Sequence, residues 1–114
     1  MTRGKSPKMK HFVWLSFDFG IKGDYEGIYT WLAAKKAKEC GDNVACLWYE
    51  HAGELLADLK RDLNKAVDLS AKSRIYVIHL VDGRMKGRFI FGRRRPAPWA
   101  GYAEIEEEAE DTNG

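Results

Sequence analysis

The chain has 114 residues, 45% hydrophobic and 12% aromatic, with a formal net charge of +2. These values describe one domain with enough apolar residues for a single core, and they exclude a disordered chain. No apolar run approaches the ~18–20 residues of a membrane span, and the first ten residues lack the apolar segment of a secretory signal, so a cytoplasmic protein with no membrane partner is expected.

The charge is unevenly placed. Glu104, Glu106, Glu107, Glu108, Glu110 and Asp111 put six carboxylates into the last eleven residues; the rest of the chain holds 19 Lys and Arg against 11 Asp and Glu, a formal +8. A basic body favours polyanionic partners, and an acidic tail either solvates the chain or folds back over that surface. Cys40 and Cys46 form neither a C-x-x-C pair nor a metal-ligand cluster and read as reduced thiols.

In chain order, residues 1–10 read as a flexible basic arm, 11–103 as a single α+β domain and 104–114 as a disordered acidic tail. In the strand 11–18, Val13, Leu15 and Phe17 share one face; Phe12, Trp14, Ser16 and Asp18 share the other, which predicts a central strand covered on most of both sides. Gly20 and Gly23 punctuate a loop. Asp24 is placed to cap a helix whose stripe runs Tyr25, Ile28, Tyr29, Leu32, Ala33, Ala37 and Cys40, with Gly41 as its left-handed terminator. Val44–Tyr49 is β-branched and aromatic enough for a second strand. Leu55, Leu56, Leu59, Leu63, Ala66 and Val67 stripe a second helix, with Asp58–Arg61 and Asp62–Lys65 as ion pairs on its wet side. Arg74–Val81 and Arg88–Gly92 flank Asp82-Gly83 as a β-hairpin. The order is then β-α-β-α-β-β. It predicts a ferredoxin-like two-layer sandwich, or alternatively a mixed α/β sheet with parallel crossovers. In the ferredoxin-like case strands 11–18 and 74–81 are antiparallel neighbours, with Asp18 near Arg74.

No motif here specifies a reaction. Gly20, Gly23 and Gly27 match neither G-x-G-x-x-G nor a P-loop, Ser16 and Ser73 have no nucleophile-elbow context, and His11, His51 and His79 are scattered. Asp18 is the one candidate catalytic residue and metal ligand: a carboxylate at a strand end suits Mg²⁺, a second copy across a dimer axis would complete the site, and the plain alternative is a loop cap or an Arg pair. Arg93, Arg94, Arg95, Trp99 and Tyr102 are the candidate binding residues. Arginine neutralises phosphates and aromatic rings stack on bases, and the same types anchor protein interfaces. Trp14, Trp48, Phe89 and Phe91 exceed what a domain this small readily covers, which predicts a homodimer.

Phe17-Asp18 closing strand one, a helix ending near Gly41, Trp48-Tyr49-Glu50 in strand two, the Leu-rich second helix, Arg74-Ile-Tyr-Val-Ile and Phe89-Ile-Phe-Gly-Arg-Arg-Arg together resemble the small ferredoxin-like proteins of CRISPR spacer acquisition and the related virulence-associated protein D toxins. The resemblance spans about residues 11–95. It implies a homodimer whose last strands can cross to the partner sheet. It also implies either a metal-dependent nuclease centred on the acid after strand one, here Asp18, or a DNA-binding scaffold. Trp99, the Pro-Ala-Pro segment and the acidic tail have no counterpart in that pattern. Three readings follow: a basic dimeric module that associates with DNA or RNA without catalysis, a protein-interaction module docking through Arg93–Trp99, and a Mg²⁺-dependent nuclease using Asp18.

Overall fold

The computed structural model describes residues 8–103, so most of the expected basic arm and all of the acidic tail lie outside the described residues. Seven elements follow one another: β1 (Met9–Asp18), α1 (Tyr25–Ala34), β2 (Lys38–Gly41), β3 (Val44–His51), α2 (Leu55–Ala66), β4 (Arg74–Val81) and β5 (Arg84–Phe91). The strands form one sheet in the order β2-β3-β1-β4-β5, and every pairing is antiparallel. This mostly-β arrangement overturns the expected ferredoxin-like β-α-β-α-β-β sandwich, and the antiparallel pairings overturn the alternative with parallel crossovers.

The difference arises at the end of α1. The apolar spacing through Ala37 and Cys40 predicts continued helix, but the helix stops at Ala34 because Lys36 enters the left-handed region at φ 59°. The Lys36 N–H then donates to the Ala33 carbonyl and the Ala37 N–H to the Leu32 carbonyl, both at 3.0 Å. This is the Schellman closure usually built on glycine. Ala37 and Leu32 pack together on the core beneath it. Residues 38–41 are thereby released into the edge strand β2, which turns through Asn43 at φ 61° and pairs with β3. The Asn43 carbonyl accepts the Phe17 N–H at 2.9 Å, tying this hairpin to β1.

Both helices cover the same face of the sheet. Val13, Leu15, Phe17, Leu47, Tyr49, Ile75 and Val77 meet Ile28, Trp31, Leu55, Leu59 and Leu63 there in one buried cluster. Burying side chains of this size contributes about 1.5–3 kcal/mol each, which dwarfs surface terms. Asp24 caps α1 as expected, accepting the Gly27 N–H at 2.9 Å, and its other oxygen accepts the Asp68 N–H at 2.8 Å, so one carboxylate joins the start of α1 to the segment after α2. Of the two pairs expected along α2, Arg61–Asp58 forms at 3.1 Å; Asp62 instead accepts from Trp31 Nε1 and Tyr49 Oη, each at 3.2 Å, and pairs with Lys35 at 3.4 Å.

On the opposite face neither α1 nor α2 packs. Phe12, Trp14, Ser16 and Asp18 of β1, Cys46 and Trp48 of β3, Arg74, Tyr76, Ile78 and Leu80 of β4, and Met85, Gly87 and Phe89 of β5 share it by register. The expectation that β1 is covered on both sides is corrected accordingly. A bulge at Ile90 separates the two phenylalanines of β5: Phe89 pairs with Tyr76 on the open face, and Phe91 pairs with Ile75 and packs on the core. Asp82 at φ 52° and Gly83 at φ 80° make the β4–β5 turn that Asp-Gly predicts.

Lys36 is the most replaceable strained residue. A non-glycine side chain in the left-handed region costs roughly 1 kcal/mol, so Lys36→Gly is expected to stabilise the domain by about 0.5–1 kcal/mol and to raise its melting midpoint by several degrees, read by thermal denaturation followed by circular dichroism.

Candidate functional site

Asp18 sits at the end of β1, directly opposite Arg74 in the β1–β4 register. The Arg74 guanidinium donates to Asp18 Oδ2 at 2.9 Å, and the Gly20 N–H donates to Oδ1 at 3.2 Å. A second guanidinium arrives from outside the sheet. Gly92 follows β5 at φ 75°, where a Cβ would lie 2.7 Å from both Arg74 Cγ and the Ser73 carbonyl, so the chain turns only because this residue is glycine. The turn sends Arg93–Trp99 back across the end of the open face and puts the Arg95 guanidinium 3.2 Å from Asp18 Oδ2.

The three successive arginines, alike in sequence, take three environments. Arg95 is held on Asp18. Arg94 lies over the rings of Phe89 and Tyr76, 5.7 and 6.0 Å from their centroids, and Arg74 flanks Phe89 at 5.9 Å. Tyr76 lies flat across Gly87, where any Cβ would meet its ring and hydroxyl, so the glycine of β5 makes room for this cation–aromatic stack. Arg93 lines a cleft of about 760 Å³ together with Lys72, Asp18 and Arg95, and has no ion-pair partner among the described residues. A second cleft, of about 350 Å³, runs between Asp18, Tyr76, Arg94 and Trp99. Trp99 is 73% exposed and Tyr102 68%, on a turn closed by the Ala100 N–H to the Ala97 carbonyl and the Tyr102 N–H to the Trp99 carbonyl. Lys72, Arg74, Arg93, Arg94 and Arg95 thus gather around a single carboxylate.

These neighbours decide what Asp18 can do. The Arg74 hydrogen bond, followed by that from Gly20, holds its carboxyl below the ordinary value of 3.8 against the opposing effect of desolvation. Mg²⁺ is held by hard oxygens and retained waters. Asp18 offers one oxygen already shared by two guanidinium groups, and no group of three or more His, Cys, Asp or Glu side chains positioned for a metal occurs among the described residues. Within one copy of the chain the donor set does not fit a Mg²⁺ site, and the carboxylate instead orients the two arginines.

The histidines are less scattered than their sequence positions. His11 of β1 and His51, the last residue of β3, meet with Nδ1 2.6 Å from Nε2. His51 Nδ1 lies 2.8 Å from the Gly53 carbonyl, which only accepts, so Nδ1 carries a proton; in the neutral ring Nε2 then accepts from His11 Nδ1–H. His79 is buried on the helix-covered face opposite Val13, with its Nδ1 unpartnered, well away from Asp18. Hydrogen bonding with Cys46 is the main influence pushing the Cys40 thiol up, which makes it a poor nucleophile at neutral pH. The His11–His51 contact is a diagonal pairing across antiparallel strands, visible only once the β1–β3 register is known.

No protein-family profile, curated protein or solved structure matches the chain. No helix among the described residues is long and apolar enough to cross a membrane.

Because the folded carboxyl is depressed, the Asp18 clamp contributes fully above the unfolded value near 3.8 and is lost as the pH falls through the lower folded value. Carboxyl-detected NMR titration is expected to show Asp18 among the last acids to protonate. Asp18→Asn removes that behaviour at a stability cost below about 1 kcal/mol, since both ion pairs are partly solvated.

Proposed function

We propose that this protein is a small dimeric module that associates with nucleic acid without cutting it. The observation that carries this reading is the gathering of Lys72, Arg74, Arg93, Arg94 and Arg95 around one carboxylate, beside the exposed rings of Trp99 and Tyr102. Cations at that density attract phosphate by releasing condensed counterions, and exposed rings supply faces on which bases stack. Arg94 and Arg95 are tethered by Phe89, Tyr76 and Asp18, so they present a preorganised surface, and Arg93 and Lys72 are the cations free to close on a ligand. The arginine shell around Asp18 argues against the nuclease reading.

The test is fluorescence anisotropy with labelled DNA and RNA over a salt series, with a parallel cleavage assay with and without Mg²⁺. Affinity is expected to fall linearly with salt on logarithmic axes, by about 0.7–0.9 in slope per phosphate contacted. Arg93→Ala is expected to weaken binding and flatten that slope, and Trp99→Ala to cost about 1–3 kcal/mol of binding with the slope unchanged. No cleavage is expected. Binding absent at low salt would remove the nucleic-acid reading and leave Arg93–Trp99 to a protein partner.

Dimerisation is supported by the uncovered sheet face. Phe12 packs edge-on against Trp14 and Trp48, and Trp48, Leu80 and Met85 are each more than half exposed. A contiguous apolar face of this kind marks an interaction surface, and a second copy presenting the same face would bury both. Sedimentation equilibrium is expected to give a dimer for the native chain and a folded monomer for Trp48→Glu.

A further inference from the structure

β5 carries a feature that lies outside the Arg93–Trp99 cluster. Arg84, Lys86 and Arg88 occupy alternate positions along it, opposite Val81, His79 and Val77 of β4, so all three side chains leave the same face of the strand. Val77 and His79 are buried beneath the helices, whereas all three cations of β5 are exposed. None of them has an ion-pair partner among the described residues. Alternate residues of a strand recur every ~6.7 Å, so the three charges form a straight, evenly spaced row. The row is extended by Lys60 of α2, whose ammonium lies 5.6 Å from the Phe91 ring, and then by Arg93 and Lys72 at the cleft beyond Gly92.

Charge on an edge strand also has a simpler use, which is to keep sheet edges from pairing with one another. The two edges of this sheet differ in that respect. The β2 edge mixes Lys38 with Glu39, whereas β5 carries only cations, aligned and continuous with the cluster beyond its end. An edge blunted against aggregation requires neither a single sign nor a common face.

We infer that β5 is a second track for phosphate, along which a single-stranded nucleic acid lies extended from Arg84 to the Arg93–Lys72 cleft. The inference rests on the nucleic-acid reading above and adds the class of ligand and its path. Single-stranded chains suit a straight row because their phosphates follow one extended line, whereas each duplex strand curves away from a straight edge after a few contacts. At the far end, Trp99 and Tyr102 expose ring faces that unpaired bases reach and paired bases do not.

The experiment uses the full chain with a labelled oligothymidylate of roughly 16 nucleotides and its duplex with oligoadenylate, each measured over a salt series. The triple variant Arg84→Gln, Lys86→Gln, Arg88→Gln is expected to bind the single strand at least about tenfold more weakly at low salt. Its logarithmic salt slope should be shallower by about 2, the loss of three phosphate contacts. Its circular dichroism should match that of the native chain. Unchanged affinity and slope in the triple variant, with the native chain still binding and Arg93→Ala still impaired, overturns the β5 track and leaves the proposed function standing. A native chain that binds neither probe overturns both. Tighter binding of the duplex, with the triple variant impaired on the duplex alone, overturns the single-strand assignment. If the triple variant self-associates through its neutralised edge, Lys86→Glu alone gives the same readout from one exposed position: a shallower slope supports the track, and an unchanged slope refutes it.

Discussion

β1 is hydrogen-bonded on both sides, to β3 and to β4, and its alternate residues Val13, Leu15 and Phe17 are sealed under the two helices. That alternation constrains everything else. Val13 and Leu15 are fully buried and Phe17 nearly so, and a shift of one residue in either pairing would exchange them for Trp14, Ser16 and Asp18. The register therefore holds, and with it Asp18 is carried to the open face opposite Arg74, where the arginine segment can reach it.

Small departures from regular structure then convert a plain hairpin into a shaped end. The bulge at Ile90 lets consecutive residues serve the core while Phe89 stays on the open face. Gly87 leaves room for Tyr76 to lie flat, which gives Arg94 two rings to rest on. Gly92 reverses the chain where a side chain would collide with Arg74. The result separates three neighbouring arginines by role: one clamped to a carboxylate, one stacked on aromatics, one facing an open cleft. Clamped and stacked cations lose less freedom when a ligand arrives than mobile ones do, which favours binding by preorganisation.

The two faces of the sheet carry different chemistry at the β5 edge. On the open face, aromatics and tethered arginines end in Trp99. On the helix-covered face, a row of exposed cations without an ion-pair partner among the described residues runs in the same direction toward Gly92. The two meet at the Arg93–Lys72 cleft.

Much of this was legible in the chain alone. The short β-branched and aromatic runs at 11–18 and 74–81, the Asp-Gly turn, the Asp24 cap and the Leu stripe of α2 are local patterns, and each produced the element it predicts, because backbone and burial preferences agree there. The proximity of Asp18 to Arg74 was also readable, given an antiparallel pairing of their strands. Three things were decided only by tertiary structure. Residues 35–41 keep helical spacing, yet Lys36 adopts a left-handed conformation because ending α1 there seats Leu32 and Ala37 on the core and frees β2 to pair with β3. The uncovered face was missed because its residues are as apolar as those of the covered one, and composition does not say where two helices will lie. The separate roles of Arg93, Arg94 and Arg95 depend on a bulge and a glycine turn, and the row along β5 on its regular pairing with β4; both set side-chain direction through register, a property of paired strands and not of any one segment.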